Sequence, residues 1–409
     1  MRLIVMLNEP KEGEGAMKNT YHTLRKKAVW AVALLLVIVL AAPVLAAKPG
    51  GKPGGETTVS HKAKQTPPIQ LGTSGGWRYD LANGYCCGGT LGSLVTKNGF
   101  KYILGNFHVF AADVVDGGNN RVAMQGDPII QPGLIDVGCN AASAQNVAAL
   151  DEWKDPLSNN VDAAIAWIGD PVMVNMVKGD GSILEIGTIS DQTVAASLNQ
   201  PVKKSGRTTG LTRSKVSGLN ATVNVAYDDE CAGGARGTAT FTGQIMIANR
   251  ASKFLAGGDS GSLMVEDVAT NPRAVGLLFA GSSSVAVANP IQEVLNSFNV
   301  TMVGVSGTTT AQGTEISDAE VVKAKKAQAK HDLRLKRVPG GVGHGIGIGR
   351  AGRVVIKVYV EKDTPEARAA VPDSVDGIPV EIEETGKIVP FPGCQDVKAC
   401  TSALDSCGK

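Results

Sequence analysis

Short apolar runs separated by polar residues and glycine dominate the chain between residues 69 and 305. Residues 90–95 and 274–279 are typical, because apolar residues in them follow one another or alternate with small ones. Runs of this length, bounded by Gly, Asn, Asp and Ser, are typical of strands in a sandwich or barrel. A segment of about 240 residues with this pattern predicts two packed β-barrels in one unit.

The pattern changes after the barrel segment. Residues 290–298 have the apolar spacing of a short helix that closes this segment. Residues 306–315 are rich in Gly, Thr and Ser, which is typical of a linker. Ser317 and Glu320 then form a capping box, in which each side chain satisfies a backbone donor of the other residue, so a helix is predicted to begin there.

Strand and helix patterns alternate beyond this capping box. We predict a strand over residues 353–360, a helix that has Pro365 at its first position, and a strand over residues 378–382. These elements predict a small α+β module over residues 316–390. A cysteine-containing tail over residues 391–409 follows it.

The N-terminus has the pattern of an export signal. Basic residues precede an uncharged stretch over residues 28–47, which ends in small residues that signal peptidase accepts. We therefore expect a signal peptide over residues 1–47, cleaved after Ala46 or Ala47, and a flexible linker over residues 48–68. The protein is then exported, to the periplasm, the cell surface or the medium.

An uncleaved membrane anchor is the alternative for this N-terminal stretch. It contains about 20 residues, just enough to span a bilayer. Pro43 and the small residues after it favour cleavage, so no stable membrane span is expected in the mature protein.

Net charge and the numbers of cysteine and histidine residues indicate which partners, disulfides and cofactors to expect. Lys and Arg number 40 and Asp and Glu number 38, so the net charge of +2 provides no field that would attract nucleic acid. The seven cysteines predict disulfides in an exported protein. Histidines are few and scattered, and no Cys-x-x-Cys pair occurs, so no metal or other cofactor is expected.

Residues 257–262, Gly-Gly-Asp-Ser-Gly-Ser, carry the clearest chemical pattern. A nucleophilic serine needs a tight turn that exposes its hydroxyl, and glycines on both sides of Ser260 permit such a turn. The amides of Gly258 and Ser260 are then candidate donors to an oxyanion, whose developing charge they would stabilise. A plain glycine-rich turn is the alternative for this motif taken alone.

The wider context of Ser260 resembles the trypsin- and chymotrypsin-like serine peptidases over residues 69–305. Residues 87–91 resemble the strand before the family's histidine, and residues 204–210 resemble a segment of the bacterial secreted members. Residues 279–281 stand where the family's substrate-pairing strand lies. The resemblance implies a mainly β fold, a chymotrypsin-like double β-barrel followed here by the small C-terminal α+β module.

A base and an acid are expected before the serine, in that order. His108 fits the base, because residues 102–107 form a strand pattern that runs into it, whereas the other histidines lie outside the barrel segment. Asp162 fits the acid, because it leads an otherwise apolar strand over residues 163–167. Three competing acids sit in more polar, loop-like stretches: Asp136, Asp151 and Asp155.

Two departures from the family pattern affect specificity and disulfides. Phe254 stands where trypsin-like members carry an aspartate, so a small or apolar side chain is the expected preference, and Phe254, Phe279, Ala280 and Gly281 are the expected substrate-binding residues. The family often has a cysteine after its histidine, but Val109 follows His108 here. A bridge between Cys139 and Cys231 is therefore one candidate pairing.

The resemblance implies a serine endopeptidase that acts on protein or peptide substrates through His108, Asp162 and Ser260 and an acyl-enzyme intermediate. The alternative is a catalytically silent binding protein on the same chymotrypsin-like fold, since a fold can outlive its chemistry. A third hypothesis follows from the linker at residues 306–315: the C-terminal module restrains the active site until it is removed.

Overall fold

The computed structural model describes eight parts of the chain, namely residues 59–82, 84–111, 121–169, 173, 175–227, 237–249, 253–307 and 318–396. The predicted signal peptide, Ser317 of the capping box, Cys231 and most of the cysteine-containing tail lie outside them. No helix in the described ranges is long and apolar enough to cross a membrane.

The first half of the barrel segment forms one antiparallel sheet. Its strands are β1 (Thr73–Trp77), β2 (Leu81–Ala82), β3 (Tyr85–Leu91), β4 (Ser93–Lys97), β5 (Phe100–Gly105), β6 (Pro128–Gln131), β7 (Gln145–Lys154) and β8 (Ala163–Trp167). They are hydrogen-bonded in the order β4-β5-β8-β7-β6-β1-β3-β2. Trp77, Leu94, Ile103 and Ile165, from four of these strands, belong to one buried core. Strand β3 continues through Gly92 into β4, so the two ends of this order join and the sheet closes into a barrel around this core.

Three short helical turns connect strands of this sheet. Helix α1 (Phe107–Phe110) follows β5 directly, and all four of its residues are buried. Two single turns of 3-10 helix, Leu134–Asp136 and Ala141–Ser143, lie between β6 and β7.

The second half of the barrel segment forms a closed barrel. Its strands are β9 (Pro201–Gly206), β10 (Gly210–Tyr227), β11 (Gly237–Ala248), β12 (Leu263–Glu266), β13 (Ala274–Gly281) and β14 (Val285–Pro290). The hydrogen-bonded order is β11-β14-β13-β12-β9-β10, and β10 pairs again with β11. The six strands therefore form a ring. Apolar residues of all six strands, such as Val216, Ile247 and Leu278, form one buried cluster, which Phe254 joins.

A helix and a short strand lead from the second barrel back to the first sheet. The helix predicted over residues 290–298 is α2 (Ile291–Phe298), which buries Ile291, Val294, Leu295 and Phe298. Strand β15 (Thr301–Met302) then pairs with β4.

The C-terminal module extends the sheet of the second barrel. Its elements are α3 (Asp318–Lys330), α4 (Asp332–Lys336), β16 (Gly341–Ile348), β17 (Val354–Val360), α5 (Pro365–Ala370), β18 (Ser374–Val375) and β19 (Ile378–Glu384). Strand β16 pairs with β10 of the barrel, β17 pairs with β16, and β19 runs parallel to β17. The helices and these strands share a separate apolar core.

The chain then returns to the barrels. Strand β20 (Val389–Pro390) pairs with β13 of the second barrel, and β21 (Gly393–Asp396) pairs with β3 of the first sheet. The described chain is thus mainly β, with two barrels and a small α+β module. This confirms the chymotrypsin-like double β-barrel predicted from the sequence.

The predicted bridge between Cys139 and Cys231 is wrong. Cys139 is bonded to Cys86 of β3. The chain that follows β6 lies against β3, so both cysteines join the same small apolar cluster with Ile130 and Leu134, and their Cα atoms are 5.6 Å apart.

Candidate active site

His108 and Asp162 are brought together by two neighbouring strands of the first sheet. Strand β5 pairs with β8 through Gly105 and Ala164, so helix α1 after β5 lies beside the residue that precedes β8. His108 Nδ1 and Asp162 Oδ2 are 2.6 Å apart. The His108 amide also donates to Asp162 Oδ1 at 3.3 Å. Both side chains are buried, so water does not compete for this contact.

Asp162 is held by residues from both barrels. Tyr227, at the end of β10, donates its hydroxyl to Asp162 Oδ2 at 2.6 Å. The Asp162 amide donates to Asn289 Oδ1 at 3.0 Å, and Asn106 Nδ2 donates to the Asp162 carbonyl at 2.7 Å. The carboxylate is therefore fixed as an acceptor for the Nδ1 proton of His108, which leaves Nε2 as the basic nitrogen.

His108 Nε2 is buried and has no hydrogen-bond partner among the described residues. A buried polar atom without a partner costs about 1–3 kcal/mol, so it calls for an explanation. A basic nitrogen that faces a reacting group is one explanation, because its partner then arrives only during the reaction.

The loop that carries Ser260 is held against β3 of the first sheet. Thr90 donates its amide to the Ser260 carbonyl at 2.8 Å and its hydroxyl to the Gly258 carbonyl at 2.9 Å. Gly258 and Gly261 have φ of 94° and 92°, which side chains rarely tolerate. The turn predicted from the glycines is therefore present around Ser260.

Gly89 permits the close approach between the histidine helix and the serine loop. A Cβ at Gly89 would lie 2.6 Å from a methyl group of Val109 and 2.9 Å from the Ser260 carbonyl oxygen. Both distances are too short for a real side chain, so glycine is required where α1, β3 and the serine loop meet.

The Ser260 hydroxyl does not reach His108 in this structure. It donates instead to the Phe279 carbonyl at 3.1 Å. Ser260 is fully buried, as is Phe279. The three predicted catalytic residues thus lie in one buried site, but only His108 and Asp162 are hydrogen-bonded to each other.

A buried ion pair lies under the serine loop, and the sequence analysis missed it. Lys204 Nζ and Asp259 Oδ2 are 3.2 Å apart, and both side chains are fully buried. Burial lowers the pKa of the Lys204 ammonium, and the charge of Asp259 opposes this shift. Asp259 also accepts the amides of Thr208 and Thr209. Lys203 and Lys204 are adjacent in β9, and successive side chains of a strand face opposite sides, so one lysine of the two is expected to face inwards; this was the available indication of the pair.

One predicted oxyanion donor is already bound. The Gly258 amide donates to the Phe391 carbonyl at 2.7 Å. Phe391 belongs to the chain between β20 and β21, so a peptide carbonyl from the same molecule occupies the position expected for the oxygen of a substrate.

The predicted substrate-binding residues separate into two groups. Phe254 is fully buried in the interior of the second barrel, and Phe279 packs against Phe241 with ring centroids 4.8 Å apart. The backbones of Ala280 and Gly281, in contrast, pair with β20. This strand edge therefore binds an extended segment of the same chain.

The competing acids do not contact His108. Asp136 forms a bidentate ion pair with Arg207, at 2.6 and 2.7 Å. Asp151 accepts from Gln125, and Asp155 accepts the Leu157 amide. Among these acids and Asp162, the described contacts therefore place only Asp162 at His108.

Comparison with known proteins yields a partial family match. The family model described as the Nal1 C-terminal domain matches residues 168–295. This range begins directly after β8, includes the six strands of the second barrel and ends within α2. It covers less than a third of the chain. No curated protein shows significant sequence similarity to the chain.

Solved structures of bacterial-type serine proteases are distantly similar. A glutamic acid specific serine protease is 19% identical with a TM-score of 0.39, and the alignment covers 57% of this chain and 100% of that protein. Protease A of Thermobifida fusca is 17% identical with a TM-score of 0.38, covering 58% and 99%. Chymotrypsin of Cellulomonas bogoriensis is 18% identical with a TM-score of 0.34, covering 56% and 100%.

Proposed function

We propose that the protein is a serine endopeptidase in which Ser260 is the nucleophile, His108 the general base and Asp162 the residue that orients it. The observation that carries the proposal is the state of His108. Its Nδ1 is bound to a buried carboxylate, and its Nε2 is buried without a partner in the described chain. This is the arrangement that a general base beside a serine requires.

The reaction begins when the Ser260 hydroxyl turns from the Phe279 carbonyl towards His108 Nε2. Nε2 takes the hydroxyl proton as Oγ bonds to the peptide carbonyl carbon. The amides of Gly258 and Ser260 donate to the resulting oxyanion. The imidazolium, stabilised by Asp162, then gives its proton to the leaving amine, and the acyl group remains on Ser260.

Water completes the reaction at the same residues. His108 Nε2 takes a proton from water as the water oxygen bonds to the acyl carbon, and the imidazolium returns that proton to Ser260 as the carboxylic acid leaves. Every step uses groups of this chain, and the only co-reactant is water.

Export to an oxidising compartment fits this function. Structural disulfides persist in such compartments, and Cys86 and Cys139 form one that fastens β3, the strand that braces the serine loop. Proteins or peptides are the substrates that the edge of β13 beside the nucleophile would accept once β20 has left it.

Substitution of Ser260 tests the proposal. Ser260→Ala should abolish both peptide hydrolysis and covalent labelling by a fluorophosphonate probe, because both need the same hydroxyl. Ser297→Ala, on α2 and outside the candidate site, is the matched control and should keep both. Peptidase activity that survives in Ser260→Ala would refute the assignment of the nucleophile.

A silent binding protein remains the second candidate, and one observation favours it. The Ser260 hydroxyl bonds to the Phe279 carbonyl instead of His108. On this hypothesis a fluorophosphonate probe never labels Ser260. This should hold even in variants of Phe391, the residue whose carbonyl binds the Gly258 amide.

A further inference from the structure

The chain after β19 crosses from the second barrel to the first sheet, beside the candidate active site. Pro390 and Val389 of β20 pair antiparallel with Ala280 and Gly281 of β13. Beyond Pro392, β21 pairs antiparallel with β3. Residues 388–396, which we call the cleft segment, thus pass from the second barrel to the first and contain both β20 and β21.

Phe391 lies at the centre of the cleft segment, beside Ser260. Its amide donates to the Phe279 carbonyl at 3.2 Å, and its carbonyl accepts from the Gly258 amide at 2.7 Å. A substrate residue whose carbonyl is attacked needs both kinds of contact, one to fix its backbone and one to polarise its carbonyl. The Phe391 backbone therefore has the contacts of the residue before a scissile bond.

The Phe391 side chain fits an apolar site in the second barrel. It is partly buried against the core cluster that contains Phe254 and Leu255. A Cβ at Gly281 would lie 3.2 Å from the Phe391 ring, so the glycine provides room for an aromatic group. Phe254, which stands where trypsin-like members carry an aspartate, belongs to this same apolar cluster.

Besides the pairing of β21 with β3 after Phe391, the chain is anchored before Phe391. The Ile388 carbonyl accepts from the Ala226 amide at 3.1 Å, and the Ile388 side chain is fully buried. Upstream of the cleft segment, the Thr385 carbonyl accepts from the hydroxyls of Ser282 at 2.5 Å and Ser284 at 3.0 Å. The segment is therefore delivered to the cleft by the folded module, at a very high effective concentration.

Two features make the cleft segment an inhibitor rather than a substrate. The Ser260 hydroxyl donates a hydrogen bond to the Phe279 carbonyl, so it is not activated by His108 while the segment is bound. Pro392 follows Phe391, and the leaving nitrogen of that bond carries a proline ring in place of a hydrogen. The Phe391 carbonyl is thus held without an activated nucleophile.

We propose that the cleft segment is a built-in, substrate-like inhibitor, and that Phe391 identifies large apolar residues as the preferred acyl side of the scissile bond. This inference rests on the proposed peptidase function. The peptidase is closed when the segment is bound and becomes active when the segment is displaced. Apolar side chains of protein substrates then enter the site that Phe391 leaves.

The test measures the rate at which a fluorophosphonate labels Ser260 in the full chain. Phe391→Asp and the milder Phe391→Ala remove apolar contacts that hold the segment, so labelling should become at least about tenfold faster in both. Phe100→Asp is the control, because it replaces an exposed aromatic residue of β5 in the same way. Its Ser260 should be labelled at the rate of the unsubstituted chain. Thermal unfolding of each variant verifies that the fold is kept.

The outcomes separate the inhibitor from the peptidase. If the unsubstituted chain and the Phe391 variants are labelled at equal rates, and Ser260→Ala is not labelled, the built-in inhibitor is refuted and the peptidase assignment stands. No labelling in any chain, including the Phe391 variants, would refute the peptidase and the inhibitor together.

A second measurement tests the preference for large apolar residues. Peptides that differ only before the scissile bond are given to Phe391→Asp, and kcat/KM for Phe should exceed that for Lys or Glu at least about tenfold. Equal values, or a higher value for Lys or Glu, would overturn this preference.

Discussion

The ion pair between Lys204 and Asp259 should be the main electrostatic support of the serine loop. Substitution of Lys204 by methionine keeps most of the side-chain length but leaves the Asp259 carboxylate without its counter-ion. Breaking a buried pair in this way costs about 3–5 kcal/mol of the free energy of unfolding. Asp259 retains hydrogen bonds from the Thr208, Thr209 and Ala256 amides, so we expect the lower end, about 3 kcal/mol.

Urea unfolding measures this loss, with every variant made in a Ser260→Ala background so that self-digestion does not interfere. Lys203→Met is the matched control. Lys203 neighbours Lys204 in β9, but its Nζ donates to the Val268 carbonyl and not to a buried acid. It should cost about 1 kcal/mol or less. If Lys204→Met lowers the free energy of unfolding no more than Lys203→Met, the loop does not depend on this pair.

Two further predictions concern a glycine and a histidine. Gly89→Ala should lower the free energy of unfolding by about 1–3 kcal/mol, because the added Cβ would overlap Val109 and Ser260. Gly307→Ala is the control, since a Cβ there meets nothing within 4 Å. Equal melting temperatures of the two variants would contradict this prediction. Burial lowers the pKa of the His344 imidazole below its ordinary 6.5, against the opposing charge of Asp332. Between pH 6.5 and the lower pKa of the folded state, the unfolded chain therefore binds a proton that the folded chain does not. The free energy of unfolding has its full value above pH 6.5 and falls as the pH decreases towards the folded pKa. His344→Gln should flatten this slope in urea titrations between pH 7 and 5, and an unchanged slope would count against it.

The sequence predicted those features that depend on local pattern and chain order. The barrels follow from short apolar runs, and the choice of His108 and Asp162 follows from a histidine after one strand and an aspartate before another. Because β5 and β8 are neighbours in the sheet, these two residues meet. The local pattern was therefore enough for this part of the candidate site.

The features that the sequence analysis missed join residues far apart in the chain. Cys86 pairs with Cys139 because the chain after β6 returns to β3, which no spacing rule encodes. Tyr227 reaches Asp162 only because β10 is long enough to end beside the other barrel. Phe391 was assigned to a tail defined by its cysteines, and its partners, Phe279 and Gly258, lie more than 100 residues before it in the chain.

The pairing of β10 with the C-terminal module affects how the proposed peptidase would be activated. Its first half pairs with β9 and its second half with β11, and β16 of the module covers the other side of residues 218–223. Excision of the module would leave those backbone groups as an exposed edge, which invites association with other chains. If the cleft segment is the inhibitor proposed above, a soluble, active form is therefore expected to keep the module in place and to release only residues 388–396.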